Sequence, residues 1–578
     1  MTTPAEAAVA DAAWGDLEPP PLVWRSGRWS VELRGDELAD IRCDGVLLAR
    51  SIRFAARDRD WSTVPLVEAT AAPGRELRVA ARYEGLGALW EVALTVTPGP
   101  ARLDVRLDAR VAQAWDRARV GLVLLHPPTL SGRPLRIEHP DGAATESAFP
   151  AAISPHQPAF DIAALTWPAE GLEVRAEFDG DTFEMEDHRN WTDASFKTYS
   201  TPLALPLPVR LEAGTRVEQS ISLLVEGVGD PAPRPAPGPL GLARSGTPFP
   251  EIGLAASTAP GDGPAEATAV RVLLVEVDVD APGWRTALAR GLDAADAVGA
   301  AVDVRLVARE PDALAEPVAA LAGRRVARLG ATATRTQVTE AGHFVALRSA
   351  AEAAGIPEAT LVGGARSHFT EVNRRIADLP SDLPALAFAL TPGGHNIERA
   401  QLVESIAMQR LVARQAAEFA AGRPVHVGPV TLRPRYLTFA SRELPPPAEG
   451  TGYLLAPDAD DPRQSSSALA AWTVASAAAL AEGGAASVAY FEAWGPRGVR
   501  DAAGEPYPVA AAIEALVALS GAERLEVVGT PPDDVWIAAA RRDGVDTVLV
   551  ANLASRATRV AFAGGRTVAV PALGWVRM

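Results

Sequence analysis

The chain has 578 residues, a formal net charge of −17 and a pI near 5.1, which argues against nucleic acid or an anionic membrane surface as partner. Its 48% hydrophobic and 22% charged residues are those of an ordinary globular protein, and a chain this long is expected to divide into about three domains. Cys43 is the single cysteine, so an intramolecular disulfide and a thiolate-built zinc site are excluded.

Residues 1–20 carry Glu6 and Asp11, with no Lys or Arg before Arg25. That is the wrong pattern for a secretory signal and is expected to form a disordered arm. From 21 to 229, alternating runs such as GRWSVELRG, RELRVAARYEG and ARLDVRLDARV are broken by Gly, Pro and Asp, with no amphipathic helix between them. They predict an antiparallel β-sandwich of two large sheets. Near its end lies FEMEDHRNWTDASFKTYSTP (183–202), dense in donors and acceptors amid Ala, Val and Leu. As an extended hairpin it puts Asp187, Arg189 and Trp191 on one face and Asn190 on the other, with Asp193 in the turn. We expect these five residues to hold a polar ligand, the hairpin leaving the sandwich to cover a neighbouring site. A solvated hairpin tied by weak ion pairs is the plainer alternative.

Pro231, Pro233, Pro235, Pro237 and Pro239 mark a linker over 230–248, since each proline removes a backbone donor. Eight short apolar runs follow between 249 and 522: PEIGLAAS, VRVLLVEV, VDVRLVAR, RVARLGAT, ATLVGGAR, ALAFALTP, PVHVGPVTL and ASVAYFEA. Most are separated by helical patterns. This is the signature of a (β/α)8 TIM barrel, and no G-x-G-x-x-G follows the first run to suggest an open nucleotide-binding sheet. The segment 523–578 returns to strands, as a small C-terminal β-domain. The longest apolar run, Ala468 to Ala481, falls short of the ~20 residues that span a membrane. A cytoplasmic protein without a membrane partner is expected.

Barrel enzymes work at the carboxyl ends of their strands. The fifth run leads into His368, Glu371 and Asn373, and the sixth into His395 behind a Gly pair. The seventh leads into Arg433 and Arg435, whose guanidinium forks suit carboxylate or polyol oxygens. Glu492 is a lone charge ending the eighth run, and a carboxylate there is costly unless paired or used. Glu371 and Glu492 are therefore the catalytic candidates. His426, alternating inside an apolar strand, is read as a satisfied core residue. The carboxylates fit a glycosidase pair, or a lactonase with one carboxylate activating water. A metal held by His368, Glu371 and His395 is the lesser option, because no zinc-binding His spacing occurs; no cofactor is expected.

The wording of 183–202 closely resembles the D-apionate lactonase family. Further likenesses are ISPHQPAFDI (153–162), which adds His156 to the ligand candidates, VGGARSHFTEVNR (362–374), VTLRPR (430–435), DPRQ (461–464) and YFEAWGPRGV (490–499). AWGPRG departs from a Thr/Gly-rich spelling after Glu492. The resemblance implies hydrolysis of a small sugar lactone, D-apionolactone, to D-apionate. A pentoside hydrolase using Glu371 and Glu492 is the alternative, and a non-enzymatic carbohydrate-binding protein ranks third.

Overall fold

The computed structural model describes residues 4–15, 21–233, 236–261, 263–264, 266–436 and 451–578. Two nine-stranded antiparallel sheets form the sandwich. Their strands alternate strictly, as in Leu77–Gly85 and Arg102–Val111, so one face of each sheet reaches a shared core. Trp29, Phe54, Trp90, Phe149, Trp167, Phe183 and Phe196 fill that core. His126 is buried among them, against Phe149 and Trp167, with Nε2 at 2.8 Å from Thr198 Oγ1.

All eight apolar runs become strands of one closed parallel barrel, from Glu251–Ala255 to Ser487–Glu492. The last pairs with the first, from Glu251 opposite Ser487 to Ala255 opposite Glu492. Leu273, Val275, Val302 and Val304 belong to the large core shared with the helices. By strand alternation Leu274, Glu276, Asp303 and Arg305 turn inward. The barrel interior is therefore more ionic than its sequence suggests. Asp303 accepts from Arg305 and Arg328, and Arg328 also reaches Glu251. His426 bonds Ser487 at 2.8 Å, as an interior residue.

Helix Ser467–Glu482 holds the longest apolar run and is buried on nearly every side. It packs between helices Arg399–Ala420 and Pro508–Leu519 and beneath the C-terminal sheet. This cover explains a helix without a polar face. Among the described residues no helix is long and apolar enough to cross a membrane.

Two expected boundaries differ. Residues 4–13 are a helix, Pro4–Ala13, and not a disordered arm. The cause is Trp14, fully buried in the barrel core, while Asp11 accepts from Ser466 and Ser467. The linker expected over 230–248 is exposed at 231–233 and 236–239, Pro235 lying outside the described residues. Its second half is instead a strand, Gly241–Pro248, paired antiparallel with Glu523–Val528. That pairing satisfies the backbone donors that an exposed tether would leave to water. The C-terminal sheet is thus built from both sides of the barrel sequence.

Trp14→Ala is expected to cost about 3–5 kcal/mol, the usual range for emptying a buried Trp site. Chemical denaturation should read this as a lowered midpoint.

Candidate functional site

The hairpin is shorter than its alternation implies. Strand Phe183–Asp187 stops because the Asp187 carboxylate caps the Arg189 backbone N–H and opens a 3-10 turn, His188–Trp191. The partner strand is Phe196–Tyr199. Asp187 and Arg189, both almost fully buried, form a bidentate pair with Nε–Oδ1 at 2.8 Å and Nη2–Oδ2 at 2.7 Å. Arg189 also donates to the carbonyls of Pro150 and Ala152 and lies over the Phe196 ring. Asp187 accepts from the Ser154 N–H at 2.8 Å.

The loop held this way docks the sandwich on the barrel's helical layer. Ile153 joins the barrel core. Its N–H meets Gln415 Oε1 at 2.7 Å, and its carbonyl accepts from Asn373 and Gln415, each at 3.0 Å. Asn190 closes the circuit, accepting from Asn373 Nδ2 at 2.8 Å and donating to the Ser154 carbonyl. Asp187, Arg189, Asn190 and Asn373 are therefore occupied by the protein's own groups. Expected as ligand contacts, Asp187 and Arg189 instead hold the loop within the sandwich, and Asn190 and Asn373 join it to the barrel. His156 is exposed, and no described contact of its ring brings it to the site.

The turn's remaining residues do reach the barrel mouth. Trp191 lies edge-on to His368, at 5.1 Å between ring centroids, and to His395 at 5.2 Å. Asp193 Oδ2 is 2.9 Å from His395 Nδ1. His188 stacks on His395 with centroids 4.4 Å apart and planes 8° from parallel. Behind it, Lys197 Nζ is 3.1 Å from both His188 Nε2 and Glu186 Oε2. Burial keeps His188 neutral, its pKa well below the ordinary value, with the Lys197 cation adding to the effect. Burial opposes ionisation of Glu186, but Lys197, His395 and Arg374 overcome it and hold the carboxyl at about 2. Gly393 is required in the loop that carries His395, because a Cβ there would fall 2.3 Å from the Leu432 carbonyl oxygen.

Across the mouth, Glu276 at the end of the second strand accepts from Arg435 at 2.8 Å and Arg366 at 3.1 Å. Burial raises its pKa, and the two guanidinium groups outweigh that and lower it. Arg366 lies 3.9 Å from the Tyr436 ring centroid and 5.3 Å from that of Tyr453. Burial pushes the Tyr436 phenol up to about 12. A cavity of about 30 Å³ at this end of the barrel is lined in part by Glu276, Arg435, Tyr453, Thr258 and Glu492.

Glu492 thus lies at the mouth, with both oxygens engaged. Oε1 accepts from Thr258 Oγ1 at 2.7 Å and Arg497 Nε at 2.9 Å; Oε2 accepts from the Thr258 N–H at 3.1 Å and Ser257 Oγ at 3.4 Å. Glu371 does not line this cavity. It sits in the first turn of helix Phe369–Arg375, which His368 caps, beside Arg374 and Arg375 of the same helix. The pair follows the fifth and eighth strands, not the fourth and seventh that mark the large retaining-glycosidase clan. Arg433 is locked to Asp461 at 2.8 Å, whereas Arg435 faces the cavity.

His368, Glu371 and His395 do not assemble as a metal set. The one grouping of ligand type among the described residues is His188, Asp193 and His395. Its stacked rings direct their in-plane lone pairs along parallel planes, so one ion cannot lie in both. The Lys197 ammonium against His188 further opposes a cation.

Sequence reasoning missed Glu276 and Tyr453. Glu276 carries the signal that singled out Glu492, an isolated carboxylate in an apolar strand, within VRVLLVEV.

Comparison with known proteins agrees with this architecture. Residues 9–228 match the family model of the D-apionate lactonase N-terminal domain, and residues 255–521 that of its TIM barrel domain. The chain belongs to the D-apionate lactonase family. With that it joins hydrolases acting on lactone esters. The D-apionate lactonase of Brucella anthropi is 28% identical over 561 residues, covering 90% of this chain and 91% of that one. Among solved structures, a GH30 endoxylanase from Clostridium papyrosolvens aligns with a TM-score of 0.40 and 10% identity, covering 59% of this chain and 99% of its own. A GH36 α-galactosidase from Geobacillus stearothermophilus aligns with a TM-score of 0.25 and 8% identity, over 96% and 99% of the two chains.

Two outcomes follow for this lactonase-family chain. Asn190→Ala strands buried partners at about 1–3 kcal/mol each, so the melting temperature should fall with activity, while half-buried Trp191→Ala should spare it. Burial also lowers His126 and His368 from 6.5 to about 3. The unfolded chain then binds protons that the folded chain refuses, so stability is full above pH 6.5 and falls as pH drops toward 3. Thermal unfolding at pH 7.5 and pH 5 should show a lower melting temperature in acid, with a shallower loss in His126→Gln.

Proposed function

We propose that this protein hydrolyses D-apionolactone to D-apionate at the carboxyl-end mouth of its barrel. The observation that carries this reading is the match of both the sandwich and the barrel to one lactonase family, with a D-apionate lactonase aligned over nearly the whole chain. A cytoplasmic enzyme acting on a small sugar lactone belongs to the same proposal.

The geometry suits ring opening of such a lactone. Arg366 and Arg435 are fixed by Glu276 before any ligand arrives, so they offer positive charge without reorganisation. Such a pair stabilises the oxyanion that develops on a lactone carbonyl and holds the product carboxylate. The cavity of about 30 Å³ takes a water or two, so it forms the inner end of a site whose outer wall is Trp191, His368 and His395. Trp191 supplies an apolar face to the ring, and Thr258 and Glu492 border the inner end. Glu492 acts here as a fixed acceptor that positions Thr258 and Arg497. A glycosidase working through Glu371 and Glu492 is not favoured, because Glu371 is engaged by Arg374 and Arg375 and Glu492 by four donors.

The test is purified protein incubated with D-apionolactone and with an aryl pentoside in parallel. Acid release from the lactone without chromophore release from the pentoside is expected; the reverse would overturn the reading. Arg435→Met should lower kcat/KM by about 10²-fold or more, the scale of losing one oxyanion donor.

A further inference from the structure

We propose that the general base of the reaction is His395, oriented across the domain boundary by Asp193 of the sandwich hairpin. This rests on the lactonase reading and adds what the carboxylate candidates do not provide, a proton acceptor with a nitrogen left open. Glu492 spends both oxygens on four donors, and each Glu371 oxygen has an arginine beside it, Arg374 and Arg375. His395 differs. Its Nδ1 meets a buried carboxylate at 2.9 Å, and no hydrogen bond among the described residues engages Nε2. Its side chain is 17% exposed, so water reaches it.

The carboxylate contact selects the tautomer. With the proton on Nδ1 and donated to Asp193, the Nε2 lone pair is free to accept another. His188, stacked on the His395 ring, is kept neutral by burial and Lys197, and His368 is kept neutral by burial. His188 Nδ1 stands 3.9 Å from the other Asp193 oxygen, beyond hydrogen-bond reach, so Asp193 Oδ2 at 2.9 Å is left to His395. Trp191, edge-on to the ring, fixes its plane.

The step balances without a further reactant. Nε2 takes a proton as water oxygen bonds to the lactone carbonyl carbon, and the carbonyl π pair moves onto oxygen beside the arginines. Collapse re-forms the carbonyl and breaks the ring C–O bond. The proton on Nε2 passes to the departing alkoxide, giving the hydroxy acid and regenerating neutral His395. Asp193 is a positioning residue, since it touches the imidazole and not the substrate.

The experiment measures D-apionolactone turnover by the full chain and its variants, with thermal unfolding of each. His395→Ala should lower kcat by about 10²–10⁴-fold, the usual contribution of a general base, and change KM little. Added imidazole should restore part of kcat, a rescue that a structural role would not show. Asp193→Asn should lower kcat by about tenfold or more through the wrong tautomer, and imidazole should not rescue it. A His395→Ala protein that keeps its kcat overturns the inference alone. So does one that loses kcat in step with its melting temperature and gains nothing from imidazole. Wild-type protein that fails to open the lactone overturns the lactonase reading and this inference with it.

Discussion

The barrel mouth depends on a charge pair that never touches it. Asp187 and Arg189 lie in the sandwich with almost no exposure, and their worth is geometric. The guanidinium gathers the carbonyls of the 150–152 segment, and the carboxylate fixes Ser154, so Ile153 packs against the barrel's helices. Removing one partner would leave a buried charge unmatched, a loss of about 3–5 kcal/mol. The turn that carries Trp191 and Asp193 would lose its anchor with it. A second set of ion pairs, Arg50 with Glu404 and Arg53 with Glu398, ties the same sheet to helix Arg399–Ala420. The sandwich is thereby a fixed wall of the site.

This explains which parts of the molecule were legible in the sequence. The eight barrel strands were readable because each is a short apolar run between helical patterns, and burial on both faces leaves that trace. The hairpin stood out because its composition breaks with its surroundings. Residue roles within it were not readable. Asp187, Arg189 and Asn190 look like ligand contacts in one dimension, and only the position of the 150–154 loop, some thirty residues earlier, shows that the protein consumes their hydrogen bonds itself. The helix Pro4–Ala13 was missed for a similar reason. Its anchor is one tryptophan whose partners lie hundreds of residues away.

The inward faces of the barrel strands raise a related point. Alternate positions combine small residues with Glu276, Asp303, Arg305 and Arg328, so charge fills space that apolar side chains usually occupy. Each such group is paired, as burial demands. The ionic interior ends at the mouth in Glu276, whose two arginine partners are the cations offered to a ligand. Support and chemistry are joined through one carboxylate.

The interleaved C-terminal sheet has a consequence for how the chain is made. Its strand Gly241–Pro248 leaves the ribosome before the barrel, and its partner Glu523–Val528 only after it. At roughly 5–20 residues per second, that edge stays unpaired while the whole barrel is synthesised. Helix Ser467–Glu482 likewise emerges with an apolar surface whose cover, the strands from Val535 onward, is not yet made. Vectorial folding can complete the sandwich early, but the barrel's outer layer is sealed only when the last strand arrives. The nascent chain therefore carries an uncovered apolar helix and an unpaired strand edge until residues 523–578 have been made.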